Sequence, residues 1–286
     1  MSEDVHPRAD ELDSLTSLEL VELMQEEDQR AVAGVKAELP RIAEAVERLA
    51  GALRAGGRLH YFGAGTSGRI AALEAAECPA TFGVTADLVR AHVPPDGKAE
   101  DDHELGRSTA VQLGLGPNDA VVGVSASGST RYAVGAFEEA ARAGALRVAV
   151  TCRRGSALAR LADVAVEVET GPEVIAGSTR LKAGTVQKVV VNMIGTAVFT
   201  RLGHTHRGRM VSVVASNAKL RTRAVRIVAD LAAVSERDAK RALIESDGDV
   251  KVAIVMARRS VSAASAAELL RQAGGDLDSV VGGVHR

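Results

Sequence analysis

The chain has 286 residues, 46% hydrophobic and 25% charged, with 28 Gly, 7 Pro and no Trp, which excludes disordered, collagen-like and disulfide-rich secreted classes. Its 35 basic and 37 acidic residues leave a net charge of −2, no field for a phosphate backbone or an anionic membrane. Aromatic residues make up 2%, too few for the stacking platforms of single-stranded nucleic-acid grooves, so neither nucleic acid nor membrane is expected as a partner.

In chain order, the first 57 residues read as helices. Thr16 with Glu19 forms a capping-box pattern before Leu18, Leu20, Val21 and Leu23, and Pro40 marks the start of a second helix through Ile42, Ala45, Val46 and Leu49. Short Val-rich runs then alternate with amphipathic stretches. The runs are Arg58 to Phe62, Leu88 to Val93, Asp119 to Val124, Leu146 to Cys152 and Val164 to Val168, and the helical patterns between them are Arg69 to Glu77, His103 to Leu113, Tyr132 to Ala143 and Ser156 to Ala162. Strands alternating with helices predict an α/β fold, doubly wound on a mostly parallel sheet.

A long helix buried on several faces is expected from Lys182 to Leu202. Beyond it Ser235, Asp249 and Ser262 cap three short helices, a small C-terminal appendage. The expected division is a helical segment over 1–57, a central domain over 58–215 and a helical subdomain over 216–286. No run of about 18 apolar residues occurs, and the acidic start from Met1 to Asp13 lacks an apolar signal core, which predicts a cytoplasmic protein. Cys78 and Cys152 read as buried free thiols, and His204-Thr205-His206, with no third ligand nearby, as a surface turn rather than a metal site.

Two loops carry the chemistry. Gly63-Ala64-Gly65-Thr66-Ser67-Gly68 follows the first strand and opens a helix, formally the dinucleotide fingerprint G-x-G-x-x-G. The next strand, however, ends His92-Val93-Pro94-Pro95 and lacks the acidic residue that a ribose needs. Ser125-Ala126-Ser127-Gly128-Ser129-Thr130 likewise follows a strand and enters a helix, and it lacks the second glycine of a nucleophile elbow. For either loop alone, hydroxyl side chains acting as helix caps are the competing explanation. Together, clustered hydroxyls and helix N-termini suit a phosphomonoester.

These loops resemble those of the sugar isomerase (SIS) domain family of phosphosugar-binding proteins. More narrowly, Gly63 to Gly83, Ala99 to Gly106, Val122 to Thr130, Gly171 to Lys188 and Ser216 to Leu220 resemble the N-acetylmuramic acid 6-phosphate etherase family of bacterial cell-wall recycling. The resemblance implies a SIS-type, flavodoxin-like fold, a homodimer, no metal or organic cofactor, and cleavage of a lactyl ether to N-acetylglucosamine 6-phosphate and D-lactate. It implies that Thr66, Ser67, Ser125, Ser127 and Thr130 bind the phosphate. Glu77, in Glu77-Cys78-Pro79, resembles the family's acid for the leaving group, and Glu100, in Ala99-Glu100-Asp101, its second catalytic glutamate. Gly65, Glu173, Arg180 and Lys182 are candidate substrate contacts, with helix capping and surface charge pairing as the alternative for the charged three. Glu74 reads as part of a solvated helix face.

Two segments depart from the family pattern. The stretch before Glu100 is short and holds Pro94-Pro95-Asp96-Gly97, and the second loop has Ser129-Thr130-Arg131 where members show Arg-Thr-Pro. A non-catalytic phosphosugar sensor and a phosphosugar isomerase are therefore the alternative readings.

Overall fold

A computed structural model describes residues 4–215 and 217–282; Ser216, the first residue of one family-like segment, lies outside the described residues. The chain divides into two compact units, Met1–Ala76 with Ala86–Val198, and Glu77–Thr85 with Phe199–Arg286.

In the first unit, β1 (Leu59–Gly63), β2 (Val89–His92), β3 (Ala120–Ser125), β4 (Leu146–Thr151) and β5 (Val164–Glu167) form a parallel sheet in the order β2-β1-β3-β4-β5. Each strand end falls within one residue of the apolar run that predicts it. Every residue of β1 and β3 is buried. Since successive side chains point to opposite faces, both faces of the sheet centre are covered, as the doubly wound reading requires. Arg58 and Asp119 tie the starts of these two strands. Arg58 donates its N–H to Asp119 Oδ1 at 2.7 Å and its Nη2 to Oδ2 at 2.9 Å, while Gly116 N–H donates to Oδ2 at 3.0 Å.

The N-terminal helices are one helix, α1 (Ser17–Arg54). Thr16 and Glu19 form the expected capping box, but Pro40 lies inside the helix and does not begin a second one. The buried stripe Leu23, Glu27, Ala31, Val35, Ile42, Ala45, Leu49 and Leu53 stays in helical register across it, and this stripe packs on β4 and β5. Pro40 and Lys36, whose carbonyl loses its partner, are both exposed, so water takes that bond. Tertiary burial overrides the local break.

The other helices of this unit are α3 (His103–Gln112), α4 (Arg131–Arg142) and α5 (Ala157–Leu161), with α2 (Gly65–Phe82) and α6 (Lys182–Arg201) contributing their N-terminal parts. Helices α3 and α4 cross at glycines. A Cβ on Gly106 would stand 1.8 Å from the Tyr132 carbonyl oxygen, and one on Gly135 2.1 Å from that of His103.

The second unit holds a small hairpin and a helical array. Strands β6 (Thr205–His206) and β7 (Arg209–Met210) pair antiparallel through Arg207 and Gly208, both at positive φ, 48° and 71°, the requirement of a two-residue primed turn. The histidine motif is not the expected surface turn: Thr205 and His206 form β6, the turn follows them, His206 is buried and His204 half-buried. The helices are α7 (Ala218–Ala232), α8 (Glu236–Glu245), α9 (Val250–Arg259), α10 (Ala263–Gln272) and α11 (Leu277–Val281). Among the described residues, that corrects the expected three to five. Ser235, Asp249 and Ser262 cap as predicted, and Asn217 and Asp276 cap the other two. Val211, Val228, Ala253, Ile254 and Ala266 are central to their core. Among the described residues, no helix is long and apolar enough to cross a membrane.

Substituting Gly106→Ala forces a methyl into backbone and is expected to cost at least about 2 kcal/mol of stability, read by urea unfolding. A variant as stable as the parent overturns the close crossing of α3 and α4.

Candidate active site

The order of the sheet reverses between β1 and β3, and open α/β sheets bind ligands beyond the carboxyl ends of strands at such a switch point. Gly63 pairs with Val124, so the chain leaves both strands side by side, into the first hydroxyl loop and α2 on one side and into the second loop and α4 on the other. A Cβ on Gly68 would lie 2.6 Å from the Gly63 carbonyl oxygen, and one on Gly63 2.8 Å from that of Val124. The glycine fingerprint thus serves to start α2 hard against the strand ends.

In the second loop Ser125 Oγ accepts the Gly128 N–H at 3.0 Å and lies 2.9 Å from Thr130 Oγ1 and 3.5 Å from Ser127 Oγ. Ser127 Oγ accepts the N–H and the hydroxyl of Ser129 at 3.2 and 2.9 Å. In the first loop Thr66 Oγ1 accepts from Arg69 at 3.1 Å, and buried Ser67 donates to Gln187 Oε1 at 2.9 Å.

Glu100 sits between the loops. Thr130 Oγ1 lies 3.4 Å from its Oε1, and its Oε2 lies 3.9 Å from where a Cβ on Gly65, at φ +53°, would stand. The segment before it is what holds it there: Asp96 Oδ1 accepts the N–H groups of Lys98 and Ala99, both at 2.9 Å, at the head of the 3-10 turn Ala99–Asp101. Asp102 then caps α3 through Leu105 N–H at 2.9 Å. The structure therefore brings together Gly65, Glu100, Ser125, Ser127 and Thr130, with Thr66 and Ser67 in the adjoining loop.

The other candidates are committed elsewhere or stand apart. Glu173, 1% exposed, accepts the N–H groups of Ala183 at 3.0 Å and Lys182 at 3.2 Å. Burial raises its carboxyl above the usual carboxylate range despite those bonds and the Lys182 charge, with Asp28 adding to the rise. It is the N-terminal cap of α6. Lys182 is buried and donates to Glu27 Oε2 on α1 at 2.5 Å. Burial opposes ionisation of Glu27, but the hydrogen bond and charge of Lys182, with Arg30 and His6, outweigh it and hold its carboxyl below the ordinary range. Arg180 is exposed. Glu77 is exposed on α2 and belongs to the second unit, Glu100 to the first. Glu74 is not on a solvated face: it is buried, 3.9 Å from Lys188, and a Cβ on Gly195 would stand 2.0 Å from its Oε1. Cys78 and Cys152 are free thiols, and burial pushes Cys152 up to about 12. No group of three metal-ligating side chains occurs among the described residues.

The SIS domain family matches residues 24–152. An N-acetylmuramic acid 6-phosphate etherase from Streptomyces coelicolor is 47% identical over 284 residues, covering 96% of this chain and 91% of that protein. The chain belongs to this etherase family. A second etherase, from Mycolicibacterium smegmatis, is 45% identical over 98% of this chain and 97% of its own length. A phosphoheptose isomerase structure from Neisseria gonorrhoeae superposes with a TM-score of 0.52 at 22% identity, covering 65% of this chain and all of that one (100%); that likeness is one of fold.

Within this etherase-family chain, Gln187 escaped the sequence reading although it stands inside the Gly171 to Lys188 segment. The available signal was an amide just before the apolar run Val189, Val190 and Val191, since a polar side chain on the buried face of a helix needs a partner; the opposite face of α6, with Asn192, Met193 and Thr196, is exposed, which narrows the expected burial on several faces. Glu27 carries a similar signal, spaced four residues from both Leu23 and Ala31 on the buried stripe.

Beneath the first loop, His60 on β1 and His92 on β2 meet at 3.1 Å between Nδ1 and Nε2, and His92 stacks on Phe62 with ring centroids 4.7 Å apart. Burial lowers both to about 4; the His60 value is also lowered by His92 and Arg58, and the His92 value by Arg90. Both imidazoles are neutral at pH 7, and the unfolded chain takes up protons first as pH falls from about 6.5. Their contribution is therefore complete above about 6.5 and is lost towards about 4. Urea unfolding across that window is expected to show the decline, and His92→Asn to flatten it; an unchanged slope in the variant counts against the pair as its source. For the buried ion pair, Lys182→Met leaves the Glu27 carboxylate with His6 and the exposed Arg30 alone and is expected to cost about 3 kcal/mol, while Glu27→Leu with Lys182→Met recovers most of it. Equal losses in the single and double variants refute the coupling.

Proposed function

We propose that this chain is a lyase that cleaves the D-lactyl ether of N-acetylmuramic acid 6-phosphate, giving N-acetylglucosamine 6-phosphate and D-lactate by elimination and addition of water. The observation that carries the reading from the structure is a carboxylate, Glu100, set between two hydroxyl-rich strand-to-helix loops at the switch point of the sheet. The identity to named etherases over nearly the whole chain supports the substrate.

Chemically the reaction needs three things. The phosphate needs donors that cost little reorganisation, and the hydroxyls of Thr66, Ser67, Ser125, Ser127 and Thr130, with N–H groups at the starts of α2 and α4, are proposed for it. The proton on carbon 2, acidic once the ring opens to the aldehyde, needs a base, and Glu100 is proposed as that base. The departing lactyl oxygen is a poor leaving group and needs an acid; Glu77, in its Glu-Cys-Pro motif, is proposed for that role. Two carboxylates held in opposite protonation states would serve both steps. We further propose that the protein works in the cytoplasm as a homodimer, in the recycling of cell-wall amino sugars.

Glu100→Gln keeps the shape of the side chain but removes the base. D-lactate release from the substrate is expected to fall by about 10²–10⁴-fold, with binding of N-acetylglucosamine 6-phosphate within a few-fold of the parent. Lactate release equal to the parent's sinks the assignment of Glu100. A parent that is stabilised by the sugar phosphate yet releases no lactate is a sensor, and a product of unchanged mass marks an isomerase.

A further inference from the structure

The hydrogen-bond inventory around Ser67 does not close for a phosphate-binding residue. Ser67 has one proton to give, and it gives that proton to Gln187 Oε1 at 2.9 Å. A phosphate oxygen accepts only, so a serine in this setting presents it with lone pairs. At the same time Gln187 is 1% exposed and its Nε2, with two N–H donors, has no partner among the described residues. An amide with both donors buried and unused is costly, and unpaired buried donors are rarer than under-used carbonyls.

One rotation frees the Ser67 proton and puts one of the two unused donors to work. Turning the amide by half a turn places an Nε2–H on Ser67 Oγ and releases the Ser67 proton. It exchanges two unpaired donors for one unpaired donor and one unpaired acceptor, and an under-used carbonyl oxygen is the more readily tolerated of the two. Nothing covalent changes; the proton stays on Ser67 and only the direction of the O–H reverses. The first turn of α6 is well placed for this, since a Cβ on Gly184 would lie 3.4 Å from Thr66 Cγ2, so the helix carrying Gln187 rests on the loop itself.

We propose that Gln187 is a positioning residue for the phosphate subsite: with a phosphate ester bound, its amide donates to Ser67 Oγ, so that Ser67 donates to the phosphate. This rests on the reading of the first loop as a phosphate site. Gln187 touches no reacting atom, and its effect is exerted through Ser67 alone.

The test is calorimetric binding of N-acetylglucosamine 6-phosphate to the full chain and its variants. Gln187→Leu is expected to weaken binding about 10-fold, the loss of one charge-assisted hydrogen bond, with kcat for lactate release within about threefold of the parent. In a Ser67→Ala background the same substitution is expected to cost nothing further, because the hydroxyl it acts through is gone. Gln187→Glu, closer in shape but an acceptor only when ionised, is expected to bind more weakly than Gln187→Leu; a packing role predicts the reverse order. Parental affinity in Gln187→Leu, or an undiminished 10-fold loss in the Ser67→Ala background, overturns the proposal. If Gln187→Glu does not fold, the Leu variant and its cycle decide. A parent that binds the phosphate ester but releases no lactate loses the etherase reading and leaves this one standing, whereas a parent that binds no phosphate ester loses both.

Discussion

Two parallel strands that are neighbours in the sheet but not in sequence must release the chain side by side. Gly63 opposite Val124 is the register that does this, and the strand order leaves a crevice there because β2 lies on one side of the pair and β4 on the other. Each exit leads into a helix, so two sets of backbone N–H groups and two sets of hydroxyls open in the same place. The register in turn depends on close approach. With a Cβ at Gly63 or Gly68 the first loop collides with carbonyl oxygens of its own strand or the next, and α2 would start further out. The glycines that look like a nucleotide fingerprint are answered by this packing.

Around that crevice the buried charges are divided between holding and acting. Glu173 closes the N-terminus of α6 and Lys182 joins it to α1 through Glu27. Both are so enclosed by their partners that their chemistry is spent on position. Glu100 differs in kind. It is half-buried, carried on one short turn and, among the described residues, hydrogen-bonded by the Thr130 hydroxyl at 3.4 Å, which leaves most of its acceptor capacity for a ligand. The proline-containing segment before it keeps the turn in place through Asp96.

How much of this was legible follows the range of the interaction. Strand ends, the capping box at Thr16 and the caps at Ser235, Asp249 and Ser262 are decided within a few residues, and they stand where residue pattern puts them. Pro40 is the instructive failure. Its local preference is to begin a helix, and a stripe of apolar residues on both sides of it, buried against β4 and β5, outweighed that preference. Helices α7 and α11 stand beyond the three expected caps although Asn217 and Asp276 are ordinary caps; α11 is only five residues long, whereas α7 carries a full stripe of Leu220, Ala224, Ile227, Val228 and Leu231 that the sequence offered.

For the site, residue types and loop context pointed to a phosphomonoester, and the family resemblance to a sugar and to the two glutamates in their motifs. They could not say which carboxylates are buried. Glu74 and Glu77 lie one helical turn apart, yet the first is buried and the second exposed, and Ser67 meets Gln187 120 positions away. Local pattern is written in the sequence because dihedral preference, capping and periodicity act between near neighbours. Burial, strand order and the partner of a buried amide are set by whatever segment packs on top, and no residue within a turn records which one that is.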